Sequence, residues 1–245
     1  MIKYKEGVKV FNIEQIKTYD QCKKEFIKKI ENLSSEYRAE EVFTDFVEYV
    51  ALSFHCNLIL PNEAKKHQAE IERIRKKYPE NFYFELLQLI GKALNDKFGD
   101  FLGECYHLIE AQNKNKGQFF TPYVLSLASA KNLLNVNYLK TILKDKGYIS
   151  INEPSCGGGG MLIAICQILK ENDINYQKDI LVIAQDVDYR CAYMCYITMC
   201  SLGIPAIINI GNSLQNETKL QLKTPFYWLN VYKFKNNKKD NQKVL

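Results

Sequence analysis

Apolar side chains in the first hundred positions recur at three- and four-residue steps. Val42, Phe43, Phe46, Tyr49, Val50 and Phe54 give the clearest run and predict an amphipathic helix. A looser version of the pattern (Ile13, Ile16, Tyr19, Phe26, Ile30) precedes it. Pro61-Asn62-Glu63 reads as a helix start, opening a charged helix from Ala64 to Tyr78. Two further helical stretches, Phe82 to Leu94 and Phe98 to Ile109, complete an all-helical amino-terminal module expected over residues 1–112.

The period changes after Asn113-Lys114-Asn115-Lys116-Gly117. A helix predicted over Tyr123 to Leu134 is followed by three short apolar runs, Tyr148–Ile151, Ile180–Ala184 and Ala206–Ile210. Helical spans Gly160–Lys170 and Tyr189–Leu202 separate them. Strand and helix in alternation imply right-handed βαβ crossovers and a parallel sheet. The expected fold class is therefore α/β, a doubly wound sheet preceded by the helical module. The second domain is expected over residues 113–232, with a basic tail over 233–245.

Between the first apolar run and its helix stands Glu153-Pro154-Ser155-Cys156-Gly157-Gly158-Gly159-Gly160. Glycine lets the backbone turn sharply and lets a ligand lie almost against it. The helix behind it presents unpaired N–H groups to an anionic ligand group. In a doubly wound sheet, ligands bind at the carboxyl ends of the strands. Three such ends are polar here: Glu153 with its glycine turn, Gln185-Asp186, and Gly211-Asn212-Ser213. Asp186 is placed to accept hydrogen bonds from ribose hydroxyls, so the pattern predicts a nucleoside-type pocket.

Composition narrows the setting. The chain has 245 residues, 47% hydrophobic and 25% charged, which is ordinary for a globular protein. No apolar run approaches the roughly 18–20 residues that cross a bilayer, and the amino terminus lacks the apolar core of a signal peptide; a cytoplasmic protein without a membrane partner is expected. The eight cysteines include no Cys-x-x-Cys pair and only three histidines accompany them, so buried reduced thiols are expected and no metal site. From Lys223 onward six lysines face one Asp240, a balance of +5 that equals the net charge of the whole chain. A solvated terminus is the expectation, with attraction to nucleic-acid phosphates as the alternative. The same pair of readings applies to Lys65, Lys66, Arg73, Arg75, Lys76 and Lys77.

Four segments in order, Gly117-Gln118-Phe119-Phe120-Thr121-Pro122, Glu153–Met161, Gln185-Asp186 and Gly211-Asn212-Ser213-Leu214, resemble the motif series of adenine-N6 DNA methyltransferases. The likeness is to modification subunits of type I restriction-modification systems and to smaller plasmid- and phage-borne relatives. Phe43-Thr44-Asp45-Phe46 is similar to the helical amino-terminal part of the smaller relatives. The resemblance implies a truncated Rossmann-like sheet of the class I methyltransferase type, about four parallel strands, that binds S-adenosylmethionine. Phe120, Thr121 and Pro122 would cover the methionine part of the cofactor, Thr121-Pro122 reading equally as a helix cap with Pro at the first helical position. Glu153 would face the ammonium, Ser155, Cys156, Gly157, Gly158 and Gly159 would form the turn, and Asp186 with Val187 would hold the nucleoside. Asn212, with Ser213, stands where the family commonly has Asp and would accept from the adenine amino group.

Methylation of an adenine amino group also needs the base positioned. The family uses an Asn- or Asp-Pro-Pro-Tyr or -Phe loop after the fourth strand, whose oxygens accept the amino hydrogens while its ring stacks on a flipped base. Neither Asn-Pro-Pro nor Asp-Pro-Pro occurs in this sequence. The candidate in its place is Thr224-Pro225-Phe226-Tyr227, which reads equally as a turn into a strand over Phe226–Tyr232. The family fold has seven strands, and the chain after Tyr232 is too short for three more with their crossovers. Three functions follow as expectations: a compact DNA methyltransferase completed by a protein partner or a second copy, a non-catalytic S-adenosylmethionine-binding module, or a DNA-associated accessory protein.

Overall fold

The computed structural model describes residues 11–33, 36–111 and 121–240. The helices α1 (Tyr19–Glu31), α2 (Ala39–Cys56), α3 (Pro61–Arg75), α4 (Phe82–Asp96) and α5 (Phe101–Ala111) come first. Their starts follow from the sequence. Thr18 and Gln21 form a reciprocal capping box at α1, and Pro61 occupies the first turn of α3, where its missing N–H costs nothing. The amphipathic faces meet around Phe26, whose ring packs edge-on against Phe43, Phe46 and Phe101 at 5.4–6.2 Å.

After α6 (Tyr123–Leu133) and α7 (Val136–Lys146) the chain enters the sheet: β1 (Ile149–Glu153), α8 (Gly160–Glu171), β2 (Ile180–Asp186), α9 (Tyr189–Leu202), β3 (Ala206–Ile210), β4 (Leu220–Lys223) and α10 (Pro225–Asp240). Among the described residues the strand order is β1-β2-β3-β4. The first three are parallel, in a register that sets Glu153 beside Ala184 and Asp186 beside Ile210, so their carboxyl ends form one rim. This is the expected Rossmann-like arrangement. The helix α7, absent from the sequence expectation, packs near β1, one of the two edge strands among the described residues.

Two expectations are corrected. β4 runs antiparallel to β3, with Ile210 opposite Leu220 and Ile207 opposite Lys223. Only residues 211–219 lie between them, too few for the crossover of about a dozen residues that a parallel neighbour requires. The segment after β4 is not a strand over Phe226–Tyr232 but the helix α10, which also takes in the first part of the lysine-rich tail. Thr224 caps it: the Thr224 hydroxyl accepts from the Tyr227 amide. α10 crosses the amino-terminal edge of the sheet, Asn230 donating to the Gln177 carbonyl, Lys233 pairing with Asp179 at 3.0 Å, and Phe234 packing on Tyr148 at 5.1 Å.

Helices and sheet share one continuous core, from Phe26 and Leu89 to Val182 and Ile208. α2 lies against α9, and Arg190 ties the two parts together by donating to Glu40 (3.0 Å) and Tyr106 (2.8 Å). The eight cysteines are free thiols, six of them buried.

Candidate functional site

The rim of the parallel strands holds a cavity of about 450 Å³, within the range of small-molecule sites. The β1–α8 turn forms one wall. The turn is fixed from below, Cys156 N–H donating to the Gln185 carbonyl and Gly157 N–H to Asp186 Oδ2, at 2.9 and 2.8 Å. Asp186 Oδ1 accepts from Asp188 N–H at 2.9 Å, and the Asp186 carbonyl accepts from Gly211 N–H, so one residue at the end of β2 organises all three strand ends. Gly157 and Gly159 have φ values of +51° and +95°, and a Cβ on Gly159 would press on Cys195 and Met199 at 3.3 Å. Only glycine takes this path without strain.

Seven of the thirteen residues expected to hold the cofactor lie at this cavity. Thr121, Glu153, Ser155, Cys156, Gly157, Gly158 and Asp186 line it. Glu153 Oε1 accepts from Ser155 N–H at 3.2 Å, which turns its carboxylate toward the turn. The Cys156 thiol is held neutral by its hydrogen bond with Cys195 and by burial, both raising its pKa, so it serves as a small wall rather than a nucleophile.

Other expected residues lie elsewhere. Gly159 is buried behind the turn. Val187 is exposed and lines a separate cleft beside Asp188 and Arg190. Asn212 accepts from Leu214 and Gln215 amides, capping a short turn opened by Ser213, and neither residue lines the cavity. Thr121-Pro122 does not form the expected cap: Pro122 itself is the cap position of α6 and the first helical residue is Tyr123. Phe120 and Gly117–Phe119 fall outside the described residues.

Thr224, Pro225, Phe226 and Tyr227, the candidates for the base-positioning loop, follow β4 directly. Because β4 runs back, they emerge at the amino-terminal end of β3, opposite the rim. The Thr224 hydroxyl is fully buried, accepting from Ala206 N–H at 2.9 Å and donating to the Ile204 carbonyl at 2.8 Å. These contacts are those of a structural cap and do not bring the quartet to the glycine turn.

Sequence reasoning missed Asp100. It precedes α5, accepts from Gly103 N–H at 3.0 Å, and its carboxylate lies against Gly158 and Gly160 in the cavity wall. Burial pushes its pKa up to about 6, with Glu104 adding to the rise and the Gly103 N–H opposing it. The only signal was an Asp just before an apolar run, which marks a helix cap and says nothing of a pocket. Ser126, buried on α6, completes the same wall.

Glu153, Asp186 and Asp100 thus make an acidic cavity. Its donor set fits a cationic ligand with hydroxyl groups: carboxylates favour a sulfonium or ammonium centre, and each carboxylate oxygen of Asp186 keeps a second lone pair for a hydroxyl. Among the described residues no group of three metal-ligating side chains occurs, and no helix is long and apolar enough to cross a membrane.

The parallel β1-β2-β3 sheet, the glycine turn and the acidic strand ends define a Rossmann-like α/β domain. The N-6 DNA methylase family matches residues 95–238, more than half of the chain, and the chain belongs to that family. It is also similar to two solved structures. One is a Listeria monocytogenes protein assigned as a class I S-adenosylmethionine-dependent methyltransferase (17% identity, TM-score 0.44, covering 81% of this chain and 55% of that one). The other is the methyltransferase subunit of a type I restriction-modification system from Streptococcus thermophilus (10% identity, TM-score 0.44, covering 82% and 60%). The chain therefore spans a little over half the length of these two. No curated protein sequence matches it.

Proposed function

We propose that this chain binds S-adenosylmethionine in the rim cavity and serves adenine-N6 methylation of DNA. The observation that carries the reading is the convergence of Glu153, Asp186 and Asp100 on the turn Gly157–Gly160, around a cavity of about 450 Å³. Glu153 and Asp100 would face the cationic methionine end, and Asp186 the ribose. The bound cofactor would supply an electrophilic methyl group; the residues of this chain bind it, orient it and hold the turn open.

Catalysis by this chain alone is the weaker form of the proposal. The Thr224 hydroxyl, the polar group of the candidate base-positioning loop, is spent on Ala206 and Ile204 at the amino-terminal end of β3. That placement favours a second reading, a cofactor-binding module that works with a protein partner or a second copy carrying the base-positioning groups. Two measurements test the pair of readings. Calorimetry with S-adenosylmethionine is expected to show saturable binding, weakened in Asp186→Ala; no heat at millimolar ligand overturns both. Methyl transfer to mixed-sequence DNA by the isolated chain then separates them: transfer supports the compact enzyme, and binding without transfer supports the module.

A further inference from the structure

A second cleft, of about 830 Å³, lies along the outer side of β4, where the turn between α2 and α3 faces the sheet edge. β4 stands three strand spacings, roughly 14 Å, from β1, so the two sites lie at different parts of the sheet.

Its lining combines three kinds of group. Lys66, Lys219 and Lys223 outnumber the single carboxylate Glu63. The ion pair of Lys219 with Glu217 is long (3.7 Å) and solvent-exposed, which leaves that lysine available. Trp228, 40% exposed, offers an aromatic plane, with Lys223 Nζ 5.3 Å from its ring centre. His55 is buried against His67, and its Nδ1 has no hydrogen-bond partner among the described residues. Burial and the neighbouring His67 lower the pKa of His55, with Lys223 adding to the effect and Glu63 opposing it. The shift favours the neutral ring, whose Nδ1 is a buried polar atom that the described residues do not satisfy.

The lysines disfavour a cation as occupant. A plain anion would not need the indole or the apolar surface of Leu58 and Leu220 beside it. Aromatic plane, apolar wall and flanking ammonium groups are together the means by which proteins hold a nucleobase and its phosphate. We propose that this cleft binds a nucleotide unit, with the base against Trp228 and the phosphate on Lys66 and Lys219. The unit comes either from a nucleic-acid strand or from a free mononucleotide. The site goes beyond the cofactor reading and does not depend on it.

Trp228 is the one tryptophan in the chain, so its emission reports this cleft directly. The full chain, without S-adenosylmethionine, is titrated with a 12-nucleotide mixed-sequence single-stranded DNA, with deoxyadenosine monophosphate and with inorganic phosphate. Saturable quenching by the oligonucleotide or the mononucleotide, with none by phosphate, is expected. Quenching by the oligonucleotide alone assigns a strand, and quenching by both at similar concentrations assigns a free nucleotide. Lys66→Gln with Lys219→Gln, both at exposed positions, should weaken binding at least tenfold and flatten its salt dependence. Labelled-oligonucleotide anisotropy gives a second readout, with affinity retained in Trp228→Phe and lost in Trp228→Ala when a strand is the ligand. Absence of quenching by either nucleotide at millimolar concentration, or quenching unchanged by the double lysine variant, overturns the proposal. Because no cofactor is present, neither result bears on whether the rim cavity binds S-adenosylmethionine.

Discussion

Asp186 accepts the Gly157 N–H at 2.8 Å, a contact spanning twenty-nine positions in sequence, and so holds the glycine turn of β1 to the end of β2. The same carboxylate accepts from Asp188 N–H, so it positions both walls of the rim. Asp186→Ala leaves two backbone donors without their partner and removes the acceptor assigned to the ribose. Each lost charged hydrogen bond is worth about 1–3 kcal/mol. Calorimetry should show S-adenosylmethionine affinity falling roughly 5- to 150-fold, with chemical denaturation showing a loss of stability as well. Unchanged affinity in a folded variant would remove Asp186 from the site.

The turn should tolerate no side chain at Gly159. Its φ of +95° is unfavourable for an L-residue, and the new methyl would meet Cys195 and Met199 inside the core. Gly159→Ala is expected to cost about 1–3 kcal/mol, a fall in Tm of several degrees for a chain of this size. A thermal scan checks this; an unshifted midpoint would mean that the turn relaxes without cost.

Thr224 separates structural from catalytic readings of its segment. In Thr224→Val the side-chain shape is kept, but the Ala206 N–H and the Ile204 carbonyl lose their partner in a fully buried place. About 2–4 kcal/mol of stability should disappear, from one unmet donor and one unmet acceptor, while S-adenosylmethionine binding below the new melting point stays within twofold. A variant of unaltered stability that no longer transfers methyl groups would restore the catalytic assignment.

Much of this architecture was legible in the order of residues. β3 and α9 fall at their predicted positions because both elements are apolar runs bounded by strong punctuation, Asp188 before the helix and Gly203 after it. The glycine turn and Asp186 were readable for the same reason: a strand end, an absence of side chains and a carboxylate are local signals. β4 was not. Its antiparallel pairing depends on the shortness of residues 211–219, and the sequence Leu220–Lys223 has no direction of its own. Thr224 misled because a hydroxyl beside a proline looks alike at a catalytic loop and at a helix cap; only the reversed strand tells them apart. Asp100 was hidden because burial is a property of the packed chain, and nothing in Asp-Phe-Leu-Gly announces that Gly158 and Gly160 will lie against it.

Asp100 has a pH signature of its own. Its folded pKa, about 6, stands above the value of 3.8 for a free carboxyl, so the folded state binds the proton more tightly. Stability from this group is present when it is protonated and is lost as pH rises from about 4 through 6, the opposite of a salt-bridged acid. Glu48 behaves alike, its pKa pushed up to about 7 by burial and by Glu70. Asp100→Asn keeps an oxygen to accept the Gly103 N–H but removes the ionisation. Denaturant titrations at pH 4 and pH 7 should therefore show the wild type losing about 1–3 kcal/mol more than this variant across the interval. The same variant should bind S-adenosylmethionine more weakly at pH 7, since the carboxylate proposed to face the cationic end of the cofactor is gone. A variant that is more stable at neutral pH yet binds less cofactor would show that the buried charge is kept at a cost to the fold, for the sake of the ligand. If affinity rises together with stability, Asp100 is a helix cap and no more.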